Sequence, residues 1–147
     1  MCYRTGPFLF LFPLEEVRHI IPADGGKDGQ IEYEGNTAQV LDLGGLLGCD
    51  TGDLKPHVLL LECMESLYGI SGGRAQGIVG IPREHIRELP KRLSARAARC
   101  LKAGVYLEEQ EQWAYIADTE GLIRTEGIKH EGDSESQGDR STDGIVD

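Results

Sequence analysis

The sequence is short of most features that advertise an activity. Aromatic residues make up 6% of its 147 residues, and there is one tryptophan. Basic residues are outnumbered by acidic ones, 15 to 25, leaving a net charge of −10. A whole-chain nucleic-acid binder needs the opposite balance, because phosphates are engaged by surplus Lys and Arg. No apolar run approaches the ~20 residues of a membrane helix. The apolar stretch Phe8 to Leu14 is broken by Pro13 and followed by Glu15 and Glu16, without the cleavage site of a secretory signal. The expectation is a cytoplasmic protein that neither inserts into membranes nor binds nucleic acid. The four cysteines, Cys2, Cys49, Cys63 and Cys100, form no CxxC pair. The histidines, His19, His57, His85 and His130, show no HxH or HxxxH spacing, so neither set has the pattern of a metal site. Neither a G-x-x-x-x-G-K-[ST] loop nor a G-x-G-x-x-G turn is present, and no cofactor is expected.

What the sequence has in abundance is glycine, 20 residues. That is about twice the usual share and favours short elements joined by tight turns. Hydrophobic residues at 39% and charged residues at 27% belong to a globular chain. Phe8 to Phe12 is continuously apolar and reads as a strand buried on both faces. Pro13 to Ile21 fits either an amphipathic turn or a strand. Gln30 to Asp42 reads as a hairpin turning at Glu34-Gly35-Asn36, and Leu43 to Gly48 as a helical turn stopped by glycine. Val58 to Cys63 and Leu67 to Ser71 form a second hairpin, with Cys63 read as a buried core thiol, and Ala75 to Ile81 a further strand. Pro82 stands at a plausible helix start, and Ser94 to Lys102 reads as one helix capped by Ser94. Val105 to Leu107 and Trp113 to Ala117 form a third hairpin around Glu108 to Glu111. Such a series of short strands points to an all-β barrel or sandwich. The stretches Leu41 to Leu47 and Ile116 to Ile123 echo each other as strand, Asp, short turn and two aliphatics, hinting at two similar halves.

Two regions stand out by charge. Residues 126–147 carry seven acids, two bases and only Ile128, Ile145 and Val146 as aliphatics, a net −5 that predicts a disordered acidic tail after a folded domain of residues 1–125. Arg83 to Lys102 carries seven bases and two acids, a net +5, with no aromatic residue for stacking on bases. It reads as a solvated basic face or as a patch for an acidic protein surface. Gly69-Ile70-Ser71-Gly72-Gly73 satisfies G-x-S-x-G, and Ser71, Asp118 and His130 stand in the chain order of a hydrolase triad. A strand rather than a helix follows Gly73, however, and His130 falls in the tail, so a small serine hydrolase remains only the remote alternative.

Five stretches in register carry a resemblance. They are Pro13 to Pro22 (PLEEVRHIIP), Val40 to Gly48 (VLDLGGLLG), Val58 to Glu62, Tyr68 to Pro90, and Gly104 to Ile123. Together they resemble the CheW-like domain family. The resemblance implies an all-β fold of two intertwined, five-stranded SH3-like barrels. It also implies a non-enzymatic adaptor of bacterial chemotaxis, which couples chemoreceptor tips to the regulatory domain of the histidine kinase CheA. Carried over by position, Val17, His19 and Ile20 belong to the receptor-facing strand, and Glu34 replaces the family's receptor-contacting Arg, a charge reversal; Ile70 and Ile78 become core. The chain departs from the family at its start, where only Met1 to Pro7 precede Phe8, so that the first barrel is truncated by a lost strand or has rebuilt that edge. It departs again where Gly72-Gly73 replaces the family's Val-Asp. An open edge leaves a homodimer, or another partner outside chemotaxis, as the alternative use of the same fold.

Overall fold

The computed structural model describes residues 1–22, 29–49, 55–90 and 95–125. The predicted tail, 126–147, lies outside them, as do most of the Asp24 to Gly29 turn and the proposed cap Ser94. Nine strands dominate: β1 Cys2–Thr5, β2 Phe8–Leu11, β3 Val17–Ile21, β4 Gln30–Tyr33, β5 Asn36–Asp42, β6 His57–Cys63, β7 Ser66–Gly77, β8 Leu101–Leu107 and β9 Gln112–Ala117. Three short helices accompany them, α1 Leu43–Leu47, α2 Ala95–Cys100 and α3 Thr119–Thr125. None is long and apolar enough to cross a membrane.

The strands form two five-stranded lobes that share β7. In the first lobe β3 pairs β6, β6 pairs β7, and β5 lies parallel to β7 and antiparallel to β4. In the second, the far end of β7 pairs β1, β1 pairs β2, β2 runs parallel to β9, and β9 pairs β8. The fold is thus all-β as expected, and among the described strands the main hydrogen-bonded path runs β3-β6-β7-β1-β2-β9-β8. The alternation of side chains along β6 explains how the lobes adhere. Val58 and Leu60 face a small cluster inside the first lobe with Ala38, whereas Leu59 and Leu61 face a larger one shared with Tyr3, Phe10, Phe12 and Leu122. A third cluster fills the second lobe around Leu9, Leu11, Val105 and Ala114. Each such fully buried aliphatic stabilises the fold by ~1.5–3 kcal/mol.

Several expectations change here. The edge ahead of Phe8 is rebuilt rather than lost: Cys2–Thr5 is a strand, inserted between β2 and β7. β7 does not stop at Ser71 but continues to Gly77, and the Gly72-Gly73 pair makes this possible. Gly72 takes φ +86°, and a side chain on Gly73 would collide with the Arg4 carbonyl and the Thr5 hydroxyl. The glycines therefore let β1 and α1 approach the backbone of β7 where the strand passes from one lobe to the other. The strand ends at Gly77, φ +116°, and Ile78 beyond it is 67% exposed rather than core, while Ile70 is fully buried. Cys63 is half-buried, since it ends β6 beside the turn. The helix expected through Lys102 ends at Cys100, because β8 begins at Leu101, which pairs with Ala117, and Lys102 already lies in that strand. Pro13 to Ile21 resolves into both options, a 3-10 turn over Leu14–Glu16 and then β3.

The crossing point is fixed by polar contacts. The Tyr3 hydroxyl, fully buried, donates to the His57 carbonyl at 2.7 Å and accepts from the Gly73 N–H at 2.9 Å. Burial pushes its phenol well above the ordinary tyrosine range. The His57 imidazole accepts the Ala75 N–H through Nδ1 at 3.0 Å, and burial followed by the Arg74 charge holds it below the usual histidine range, in its neutral form.

Candidate interaction surface

The strand β3 enters the first lobe after the turn at Leu14–Glu16, with its register against β6 interrupted between Val17 and His19. That bulge divides the predicted residues. Val17 and Ile20, both half-buried, pack against the cluster shared by the two lobes. His19 emerges on the other side and stacks on Tyr33 of β4, ring centroids 5.1 Å apart and planes 27° apart. β3 and β4 form the two ends of the first lobe's sheet, so this stack brings its edges together where no backbone pairing does.

Glu34 follows Tyr33 directly, in the two-residue turn that closes the β4–β5 hairpin. Its φ of +51° and that of Gly35, +82°, are those of a mirror-image hairpin turn. The carboxylate stands exposed at the rim of an open groove of about 650 Å³. Tyr33 and Leu67 contribute apolar surface; Arg18, Glu34, Glu62 and Glu65 contribute charge. The Arg18 guanidinium donates through Nε to Glu62 Oε1 at 2.8 Å and through Nη1 to the Glu15 carbonyl at 2.8 Å. With both partners of the pair close to half exposed, it contributes on the order of 0–1 kcal/mol. Its consequence is positional: Arg18 is occupied by Glu62, so Glu34 and Glu65 give the groove a negative balance.

The structure thus gathers His19 and Glu34 at one end of the first lobe, through Tyr33, and turns Val17 and Ile20 toward the inter-lobe core. Sequence reading passed over Tyr33, Arg18, Glu62 and Glu65. Its available signal was the β3–β6 register, which sets Val17 opposite Leu61 and so Arg18 beside Glu62, a non-local pairing invisible in either strand alone. Ser71 lies within β7, 4% exposed, opposite Asp42 in the parallel register, and Asp118 caps α3. The strand-to-helix elbow of a serine hydrolase is therefore missing at Ser71, and His130 lies outside the described residues. Cys2, Cys49, Cys63 and Cys100 form no disulfide, and the described residues contain no cluster of His, Cys, Asp and Glu suited to a metal ion.

Comparison with known proteins agrees with this architecture. The fold is similar to the crystal structure of the scaffolding protein TtCheW from Thermoanaerobacter tengcongensis, with a TM-score of 0.64 over 80% of this chain and 86% of that one, at 12% identity. A search of curated proteins by sequence finds no match. The family model for the CheW-like domain matches residues 1–127, and the chain belongs to the CheW-like domain family.

Proposed function

We propose that this chain is a non-enzymatic, cytoplasmic adaptor of the CheW type in bacterial chemotaxis signalling. It couples chemoreceptor tips to the histidine kinase CheA by contacts with the kinase's regulatory domain. The observation that carries this reading is the match to the CheW-like domain from residue 1 to residue 127. In this family two-lobed domains act as scaffolds, and a scaffold works through surfaces rather than a catalytic centre. On this reading the receptor-facing surface is built on β3 and the β4–β5 turn. His19 and Glu34 stand at its rim, and Val17 and Ile20 set the strand's position from beneath. Where the family presents an Arg, Glu34 presents a carboxylate, so the matching receptor carries a cation there.

The test is size-exclusion with light scattering, on the protein alone and mixed with the regulatory domain of a CheA from the same cell. Co-elution as a heterocomplex is expected; absence of a shift at high micromolar concentration overturns the reading. Glu34→Arg should weaken binding to the native receptor tip about tenfold or more, as expected when a complementary charge pair becomes a repulsive one. A second reading keeps the fold but changes the partner. It is favoured by the edges of β3 and β4, each of which has a backbone partner on only one side among the described strands. A stable homodimer without kinase binding in the same experiment would select it.

A further inference from the structure

We propose that the outer face of the β8–β9 hairpin is a docking surface for a cationic, amphipathic peptide segment of a partner protein. Three aromatic side chains lie there in a row. Phe8 of β2, Trp113 of β9 and Tyr106 of β8 are 38, 46 and 44% exposed. The strand pairings line them up. Tyr106 stands opposite Trp113, with ring centroids 5.8 Å apart and planes at 72°. β2 and β9 run parallel with Leu9 beside Ala114, so one residue earlier Phe8 falls beside Trp113. Leu9 and Ala114 face the cluster inside the second lobe, and alternation turns Phe8 and Trp113 the other way. They share that face with Phe10 and Tyr115, whose rings lie 6.5 Å apart against the cluster common to both lobes. The row is thus the solvent end of a continuous aromatic face. Gly104 leaves room for the indole beside Leu89: a side-chain carbon added there would stand 3.6 Å from Trp113 Cε3 and 3.7 Å from Leu89 Cδ2.

Charge selects the occupant. The turn that joins the two strands carries Glu108, Glu109 and Glu111, all exposed, and none of them enters an ion pair among the described residues. Arg4 and Arg87 donate to neutral oxygens, those of the Gln112 side chain at 3.2 Å and the Glu84 carbonyl at 2.6 Å, and leave these carboxylates unpaired. Aromatic rings attract a cation to their faces and bury aliphatic side chains well, while carboxylates attract the same cation from the rim. A segment that sets lysine or arginine beside aliphatic residues satisfies both halves of the surface. Nucleic acid and anionic lipid are repelled by the three carboxylates. A second copy of this chain is disfavoured too, because a two-fold contact sets the acidic turn near its own copy on a chain of net charge −10. The surface lies on the second lobe, and the proposal stands whether or not the groove at Glu34 meets a chemoreceptor.

Trp113 is the only tryptophan of the chain, so its fluorescence reports on this surface. The probe is a synthetic amphipathic helix of leucine and lysine titrated into the full chain, with the same peptide carrying glutamate for lysine as its counterpart. A saturable change in emission is expected with the lysine peptide and none with the glutamate peptide. The affinity should fall about threefold or more between about 0.02 and about 0.5 M salt. Glu108→Gln, Glu109→Gln and Glu111→Gln together should weaken binding about threefold or more, and so should Phe8→Ser with Tyr106→Ser. Glu15→Gln, Glu32→Gln and Glu120→Gln together make the same change of net charge outside the hairpin and should stay within about twofold of the parent. Equal weakening by the two charge variants would mean attraction to the acidic chain as a whole and would overturn the proposal. It would also be overturned by a silent tryptophan or by an equal response to the glutamate peptide. An emission change on concentrating the protein alone would make a second copy the occupant, and would overturn it as well.

Discussion

The two lobes contain the same small device and finish it differently. In the first, β5 runs parallel to β7 and ends at Asp42, whose carboxylate accepts the Gly45 N–H at 2.9 Å and caps α1. In the second, β9 runs parallel to β2 and is followed by Asp118, whose carboxylate accepts the Gly121 N–H at 3.2 Å at the start of α3. Both helices carry a pair of aliphatic residues four and five positions after the Asp. Leu46 and Leu47 are each 40% exposed, whereas Leu122 and Ile123 are 6% and 1% exposed. The difference comes from α2. It packs on α3, and its Arg99 carbonyl occupies the space that a Gly121 side chain would need. At Gly45 the nearest atoms a side chain would meet belong to the Asp42 carboxylate of its own cap. A repeated strand–Asp–helix device therefore serves as core in one lobe and as surface in the other, according to what the intervening chain lays over it.

The largest test of this contrast is truncation of the aliphatic pairs. Leu122→Ala should destabilise the protein by about 2–5 kcal/mol, because it empties a site in the cluster shared by both lobes. Leu46→Ala should change stability by no more than about 0.5 kcal/mol. Urea unfolding of the two variants decides the matter, and equal losses would mean that α1 is covered as α3 is. The next effect is smaller. Gly121→Ala forces α3 off α2 and should cost about 1–3 kcal/mol. Gly45→Ala pushes the Asp42 carboxylate off its capping position, a loss of about 0.5–2 kcal/mol, but gains about 1 kcal/mol of helix propensity, and should stay within about 1 kcal/mol of the parent. Thermal unfolding of both separates a glycine required by packing from one that is replaceable.

Much of the fold was readable where local chemistry determines it. The hairpin turns at Glu34-Gly35 and at Met64-Glu65 follow from residues that flank alternating or apolar strands, and both occur with positive φ. The Asp-capped helices were visible as an echo because cap, glycine and aliphatic pair sit at fixed spacing. The reading failed where a residue answers to a distant neighbour. The hairpin strand was expected to end at Ser71, yet Gly72-Gly73 carries β7 through the crossing, because the constraint comes from Arg4, Thr5 and α1. The family resemblance carried Ile78 over as core, but the strand that would have held it inward ends one residue earlier. At the interaction surface the turn bearing Glu34 was legible, while the His19–Tyr33 stack joins two strands with no pairing between them and leaves no trace in either. The inward turn of Val17 and Ile20 depends on the bulge at Val17/His19, which their residue types do not announce.

The smallest effect separates the caps from what they support. Asp42→Ala and Asp118→Ala each remove a carboxylate from the N–H of a glycine three residues on, and each loss is worth about 0.5–2 kcal/mol. Were the two units equivalent, the losses would match. Asp118 opens a helix that anchors the shared core through Leu122, so loosening its first turn also loosens buried contacts. Asp42 opens a helix whose aliphatic pair is exposed, although Leu43 at its start is buried. The loss at Asp118 should therefore be the larger, and combining each cap variant with its own leucine truncation shows why. Asp118→Ala with Leu122→Ala should fall short of the sum of the single losses, because both act on the seating of α3. Asp42→Ala with Leu46→Ala should be additive within about 0.5 kcal/mol, since an exposed leucine has little seating to lose. Additivity in both pairs would show that the caps act only on their own first turns, and would leave α2 alone responsible for the difference between the lobes.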